Sequence, residues 1–98
     1  MSLTNSQIKF LKKKAHALKP IIWVGQKGIN ENLLDEVSQA LAHHELIKVK
    51  LRVGEREERD TMIDKIIEET HAENIQRVGN ILTLFKQAPN DSAFKLPI

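Results

Sequence analysis

Ninety-eight residues, 41% of them hydrophobic, suit a single domain with one modest core, a chain of this size burying roughly 60–65% of its unfolded surface. The absence of cysteine excludes disulfides, thiolate metal sites and cysteine nucleophiles, and points to a reducing compartment. The net charge of +2 conceals a separation: residues 1–30 carry six lysines and no acid, whereas residues 55–73 carry eight acids against Arg56, Arg59 and Lys65, so one face is expected to be cationic and another anionic.

In chain order, Thr4, Asn5 and Ser6 offer N-caps. Ile8, Leu11, Ala15 and Leu18 then recur at helical spacing, which predicts a first helix over about 6–17. It ends before Lys19-Pro20, because the residue preceding a proline disfavours helical geometry. Ile21-Ile22-Trp23-Val24 is a short, continuously apolar run that reads as a buried strand. Trp23 belongs first to the core in that reading and second to an exposed position where it could stack on a base; the sequence leaves both open. A second helix is predicted over about 30–44, with Leu33, Leu34, Val37, Ala40 and Leu41 as its buried stripe.

The stretch LIKVKLRV, residues 46–53, alternates strictly. Ile47, Val49, Leu51 and Val53 take one face and Lys48, Lys50 and Arg52 the other, which is the pattern of a half-buried strand with a cationic outer face. A third helix over about 57–70 buries Met62, Ile63, Ile66 and Ile67 and crowds acids into its first turn, where the helix dipole favours them. NIQRV and ILTLFK flank Gly79-Asn80, a two-residue hairpin signal. The last stretch, 88–98, has no periodicity and is expected to be a loosely held tail after one domain spanning 1–87.

This order of elements predicts an α/β fold with a four-stranded mixed sheet in two layers. The two strand-helix-strand units imply parallel pairs, the hairpin adds an antiparallel strand, and the second and third helices share one face. The face with Lys48, Lys50 and Arg52 is expected to stay open.

Gly25-Gln26-Lys27-Gly28 falls where the first strand hands over to the second helix. A loop there lies at the carboxyl edge of the sheet, where ligands of open α/β sheets bind. Two glycines allow positive φ and close approach, the helix start offers N–H groups, and Lys27 adds a charge on a flexible stem. The spacing is not that of a nucleotide-hydrolysing phosphate loop. In chemistry it is closest to the Gly-x-x-Gly element that KH-type domains set against a nucleic-acid backbone, although any strand-to-helix turn can use two glycines.

The run KKKAHALKPIIWVGQKGINENLLDEVSQALAHHELIKVKL, followed by RVGNILTLFK, resembles the CRM domain family, named for chloroplast RNA splicing and ribosome maturation, and within it the stand-alone bacterial YhbY type. Ala15, Leu18, Lys19 and Pro20, then Gly25, Lys27 and Gly28, then Asn32, Ala40 and the run from His44 to Val49 carry the match, with Gly79, Leu84, Phe85 and Lys86 closing it. The resemblance implies RNA binding through the Gly-x-x-Gly loop, a fold similar to the C-terminal domain of bacterial translation initiation factor three, and a role on large ribosomal subunit precursors. The expected RNA-binding residues are Gly25, Gln26, Lys27, Gly28, Lys12, Lys13, Lys14, Lys19, Lys50 and Arg52, with ribosomal RNA as partner.

Other chemistry has little behind it. His43 and His44 are adjacent, so on a helix their rings diverge by about 100° and cannot both ligate one ion; a capping role at the helix end suits them better. No nucleophile-base spacing is visible, so no enzyme activity, cofactor or metal is expected. No apolar run approaches the ~20 residues of a membrane span, and the first ten residues lack the apolar centre of a signal peptide. The chain is expected to be a cytoplasmic monomer. The alternative function is a protein-interaction adaptor that docks a basic partner on the acidic third helix.

Overall fold

The computed structural model describes residues 3–25, 28–52, 55–90 and 92–97. Three helices and four strands follow one another as α1 (Asn5–Ala15), β1 (Ile22–Val24), α2 (Glu31–His44), β2 (Leu46–Leu51), α3 (Arg56–Thr70), β3 (Glu73–Val78) and β4 (Ile81–Phe85). Side-chain caps mark the starts of α1 and α2. Thr4 caps α1 in a reciprocal box with Gln7, the Thr4 Oγ1 accepting from Gln7 N at 3.1 Å and Gln7 Oε1 accepting from Thr4 N at 2.9 Å. Asn30 caps α2 by accepting from Leu33 N at 2.8 Å.

The sheet order is β1-β2-β4-β3. β1 pairs with β2 in parallel, and β4 lies antiparallel to both of its neighbours. The first strand-helix-strand unit therefore forms the expected parallel pair. The second does not: β2 and β3 point the same way but are separated by β4. The Gly79-Asn80 turn, with Gly79 at φ 60°, returns the chain at once beside β3, and β4 enters the gap where it gains two antiparallel partners instead of one.

Alternation along the strands divides the apolar residues between two cores. Ile22, Val24, Ile47, Val49, Leu51, Leu82 and Leu84 face α2 and α3, meeting Leu33, Val37, Leu41, Ile63 and Ile66. On the other face Leu46, Ile75 and Phe85 are covered by Leu11 and Ala15 of α1, with Phe94 and Leu96 of the tail packed alongside. This face is thus covered at the amino end of β2 and open toward its carboxyl end.

The tail, expected to be loosely held, makes definite contacts. Phe94 meets Phe85 edge-on with centroids 5.6 Å apart, and Gln7 Nε2 donates to the Pro97 carbonyl at 3.0 Å. Its anchor is Glu45, which is only 5% exposed and ends α2 with a φ of 65°. The Glu45 carboxylate accepts from Ala88 N at 2.9 Å, Ala93 N at 2.8 Å and the Ser92 hydroxyl. Burial works to raise the pKa of this carboxyl, but the bonds from Ser92, Ala88 and Ala93 outweigh it and hold the group below its usual range.

Candidate nucleic-acid interface

The parallel pairing of β1 with β2 brings together three of the elements singled out in the sequence. Val24 stands opposite Leu51, and Arg52 N donates to the Val24 carbonyl at 3.0 Å, so Arg52 lies against the start of the glycine loop. Lys50 is the register partner of Trp23. Gln26 and Lys27 lie outside the described residues, but the loop is closed across them by Gly28 N donating to the Gly25 carbonyl at 3.0 Å.

The two glycines differ. Gly28 has a φ of 69°, a conformation that favours glycine, and a Cβ there would stand 3.7 Å from Met62 Cε on α3. Gly25 has no such φ, and among the described residues no atom beyond its chain neighbours comes within 4 Å of a Cβ placed on it. The fold thus accounts for Gly28 and has room for a side chain at Gly25.

The remaining predicted residues lie elsewhere. Lys12, Lys13, Lys14 and Lys19 are exposed, but α1 covers the amino end of β2, away from the edge that the loop follows. Successive helical residues diverge by about 100°, and the lysines separate accordingly. Lys12 joins His16 and Lys48 around a hollow of about 350 Å³ on the open sheet face. Lys14 and Lys19 line a cleft of about 510 Å³ on the other flank of α1, with His44, Lys48 and Phe94. Lys48 is partly engaged, its Nζ donating to the Leu18 carbonyl at 3.1 Å. The described cations among the ten predicted residues therefore fall into two groups, Lys50 and Arg52 toward the carboxyl edge and the lysines around α1, with the open sheet face between them.

That face also holds Trp23, for which the sequence left a core position and an exposed one both open. Trp23 is 52% exposed, flanked in β1 by the buried Ile22 and Val24. Its register row runs Trp23–Lys50–Ile81–Val78 across all four strands, and Lys48, Thr83 and Gln76 form the next row. The four-residue apolar run concealed a period-2 pattern, because β1 is an edge strand with only one covered face. At the hairpin, Arg56, Arg59 and Arg77 surround Gly79 in a hollow of about 250 Å³, and Arg77 is paired with Asp60. The charge count set Arg56 and Arg59 against the acids of their segment and assigned them to no site. His43 and His44 meet edge to face at 5.0 Å, and among the described residues there is no group of three or more potential metal ligands.

The acids of α2 and α3 lie on the helical layer, while Lys50 is on the opposite sheet face, Arg52 follows β2 and the α1 lysines flank that face. The fold is a small α/β domain of three helices and a four-stranded mixed sheet, with cations on its open sheet face and around α1. The match to the CRS1 / YhbY (CRM) domain model spans residues 3–86, and the chain belongs to this family. It is 40% identical over 96 residues to an RNA-binding protein of Haemophilus influenzae, covering 98% of this chain and 96% of that one. It is also 33% identical over 95 residues to "Probable RNA-binding protein YqeI" of Bacillus subtilis, covering 97% and 99% of the two chains. The solution structure of SAV1595 from Staphylococcus aureus superposes with a TM-score of 0.82 at 28% identity, over 98% of this chain and 100% of that one. Among the described residues no helix is long and apolar enough to cross a membrane.

Proposed function

We propose that this chain is a non-enzymatic RNA-binding protein that acts as a cytoplasmic monomer on ribosomal RNA within large-subunit precursors. Its glycine loop grips the RNA backbone, and Lys50, Arg52 and the α1 lysines supply flanking charge. The observation that carries this reading is Gly25. Among the described residues neither its backbone nor its packing calls for glycine, whereas a phosphate approaching the main chain beside Arg52 does. The names of the relatives support RNA as the ligand. An adaptor docking a basic partner on α3 has less behind it, since Asp60 is already paired within the molecule and Arg56, Arg59 and Lys65 interrupt the acidic run.

The test is a titration of a ribosomal RNA fragment at several salt concentrations. Four to six phosphate contacts at about −0.7 each predict a slope of log affinity against log salt near −3 to −4. Lys27→Ala makes that slope shallower by about 0.7 and weakens all sequences alike. Gly25→Asp abolishes binding with the circular-dichroism spectrum unchanged, because the added side chain meets open space. A wild-type chain that ignores RNA at about 50 mM salt refutes the proposal, and crosslinking in cells identifies the RNA.

A further inference from the structure

The open half of the sheet face lies between the two cationic groups and has no part in the core. Strand spacing makes the Trp23–Lys50–Ile81–Val78 row about 14 Å long, and the next row lies about 7 Å away. Trp23 is 52% and Val78 61% exposed, with Ile21 at 43% beside them. No acid occurs on these two rows, and Lys12, His16 and Lys48 border the hollow next to them.

From this arrangement we infer that the open sheet face is a stacking platform for an unpaired nucleotide of RNA, with the base laid on the Trp23 indole and its phosphate held by Lys50. An exposed aromatic ring beside a cation in register is what a flat, negatively charged strand needs, since a base offers a π-face and its backbone an anion. On the neighbouring row Thr83 is buried, and the half-buried, uncharged Gln76 beside it carries an amide of the kind that hydrogen-bonds base edges. Double-stranded RNA does not fit this role, because its bases are already stacked. A second copy of the chain fits poorly too: the patch of roughly 100 Å² is far below the about 800 Å² per partner of a stable interface, and two such faces would set lysine against lysine. The inference rests on the RNA-binding reading and adds to the loop a base-contacting surface for single strands.

Trp23 is the only tryptophan in the chain, so its fluorescence reports on this face alone. Titrating the protein with a short single-stranded RNA of mixed sequence should quench that fluorescence, and the same sequence as a duplex should not. Trp23→Ala should weaken single-strand binding about 5- to 150-fold, the measured range for loss of one stacked base, while Trp23→Phe keeps most of the affinity. Both variants should unfold in urea close to the wild-type midpoint, because the ring is half exposed. Single-stranded RNA that binds with unchanged fluorescence, and equally well to Trp23→Ala, overturns the platform and leaves RNA binding through the loop intact. A wild-type chain that binds no RNA overturns both. A concentration-dependent dimer in sedimentation that Trp23→Ala dissolves and RNA does not displace assigns the face to a second copy and also overturns the inference.

Discussion

The two faces of the sheet are made from alternate residues of the same strands, yet they do different work. On one, Ile22, Val24, Ile47, Val49, Leu51, Leu82 and Leu84 are buried under α2 and α3. On the other, the exposed Trp23 and the half-buried Lys48, Lys50 and Ile81 occupy intervening positions with the buried Thr83 among them, and cover from α1 and the tail centres on the end that holds Leu46 and Phe85. A single residue step along β2 thus separates a side chain that holds the fold from one free to meet a ligand. Mutations should divide the same way, into those that unfold the domain and those that leave it folded but weaken binding.

The largest effect is expected on the covered face. Leu82→Ala removes a fully buried side chain from the centre of the sheet and should cost about 3 kcal/mol of unfolding free energy in a urea titration. The folded fraction should still bind RNA as the wild type does. A large loss of binding per folded molecule would show that the two faces are coupled.

At the covered end of the opposite face, Glu45 ties the end of α2 to the tail. Glu45→Ala removes the acceptor of three hydrogen bonds and should destabilise the protein by about 2 kcal/mol. Glu45→Gly should be milder by about 1 kcal/mol, since glycine accepts the φ of 65°. The same carboxylate sets a pH dependence. Its folded pKa lies below the usual 4.5, so the unfolded chain takes up the proton first as pH falls. Its stabilisation is therefore complete above about 4.5 and is lost as pH falls through the lowered folded value. Urea midpoints measured across that window should fall more steeply for the wild type than for Glu45→Gln.

The smallest effect lies within the open face. Arg52 is exposed and bonded through its backbone to Val24 at the loop, whereas the Lys48 ammonium is engaged with the Leu18 carbonyl. Arg52→Glu should therefore weaken RNA binding about tenfold more than Lys48→Glu, roughly 1.4 kcal/mol, with similar thermal stability for both. The reverse ranking would move the principal contact from the carboxyl edge toward α1.

Local pattern determined a good deal. The strict alternation of LIKVKL assigned Ile47, Val49 and Leu51 to the core and Lys48 and Lys50 to the other face, because strand side chains alternate whatever lies beyond the strand. Apolar periodicity placed α2 at Glu31–His44 and α3 at Arg56–Thr70, each within about a residue of expectation, and Gly79-Asn80 marked the hairpin. The parallel β1–β2 pair followed from the helix between them, and with it the position of the glycine loop at the carboxyl edge beside Arg52. Tertiary structure decided the rest. That β4 lies between β2 and β3 depends on pairing between strands far apart in the chain, which no local window contains. Trp23 came to the surface because α1 covers only one end of its face, and an apolar run records the presence of a core without recording where its cover stops. Glu45 acquired its partners from Ala88, Ser92 and Ala93, more than forty residues later. The separation of the lysines into two groups had the same origin: charge adds along a sequence, but its direction in space is set by what each helix packs against.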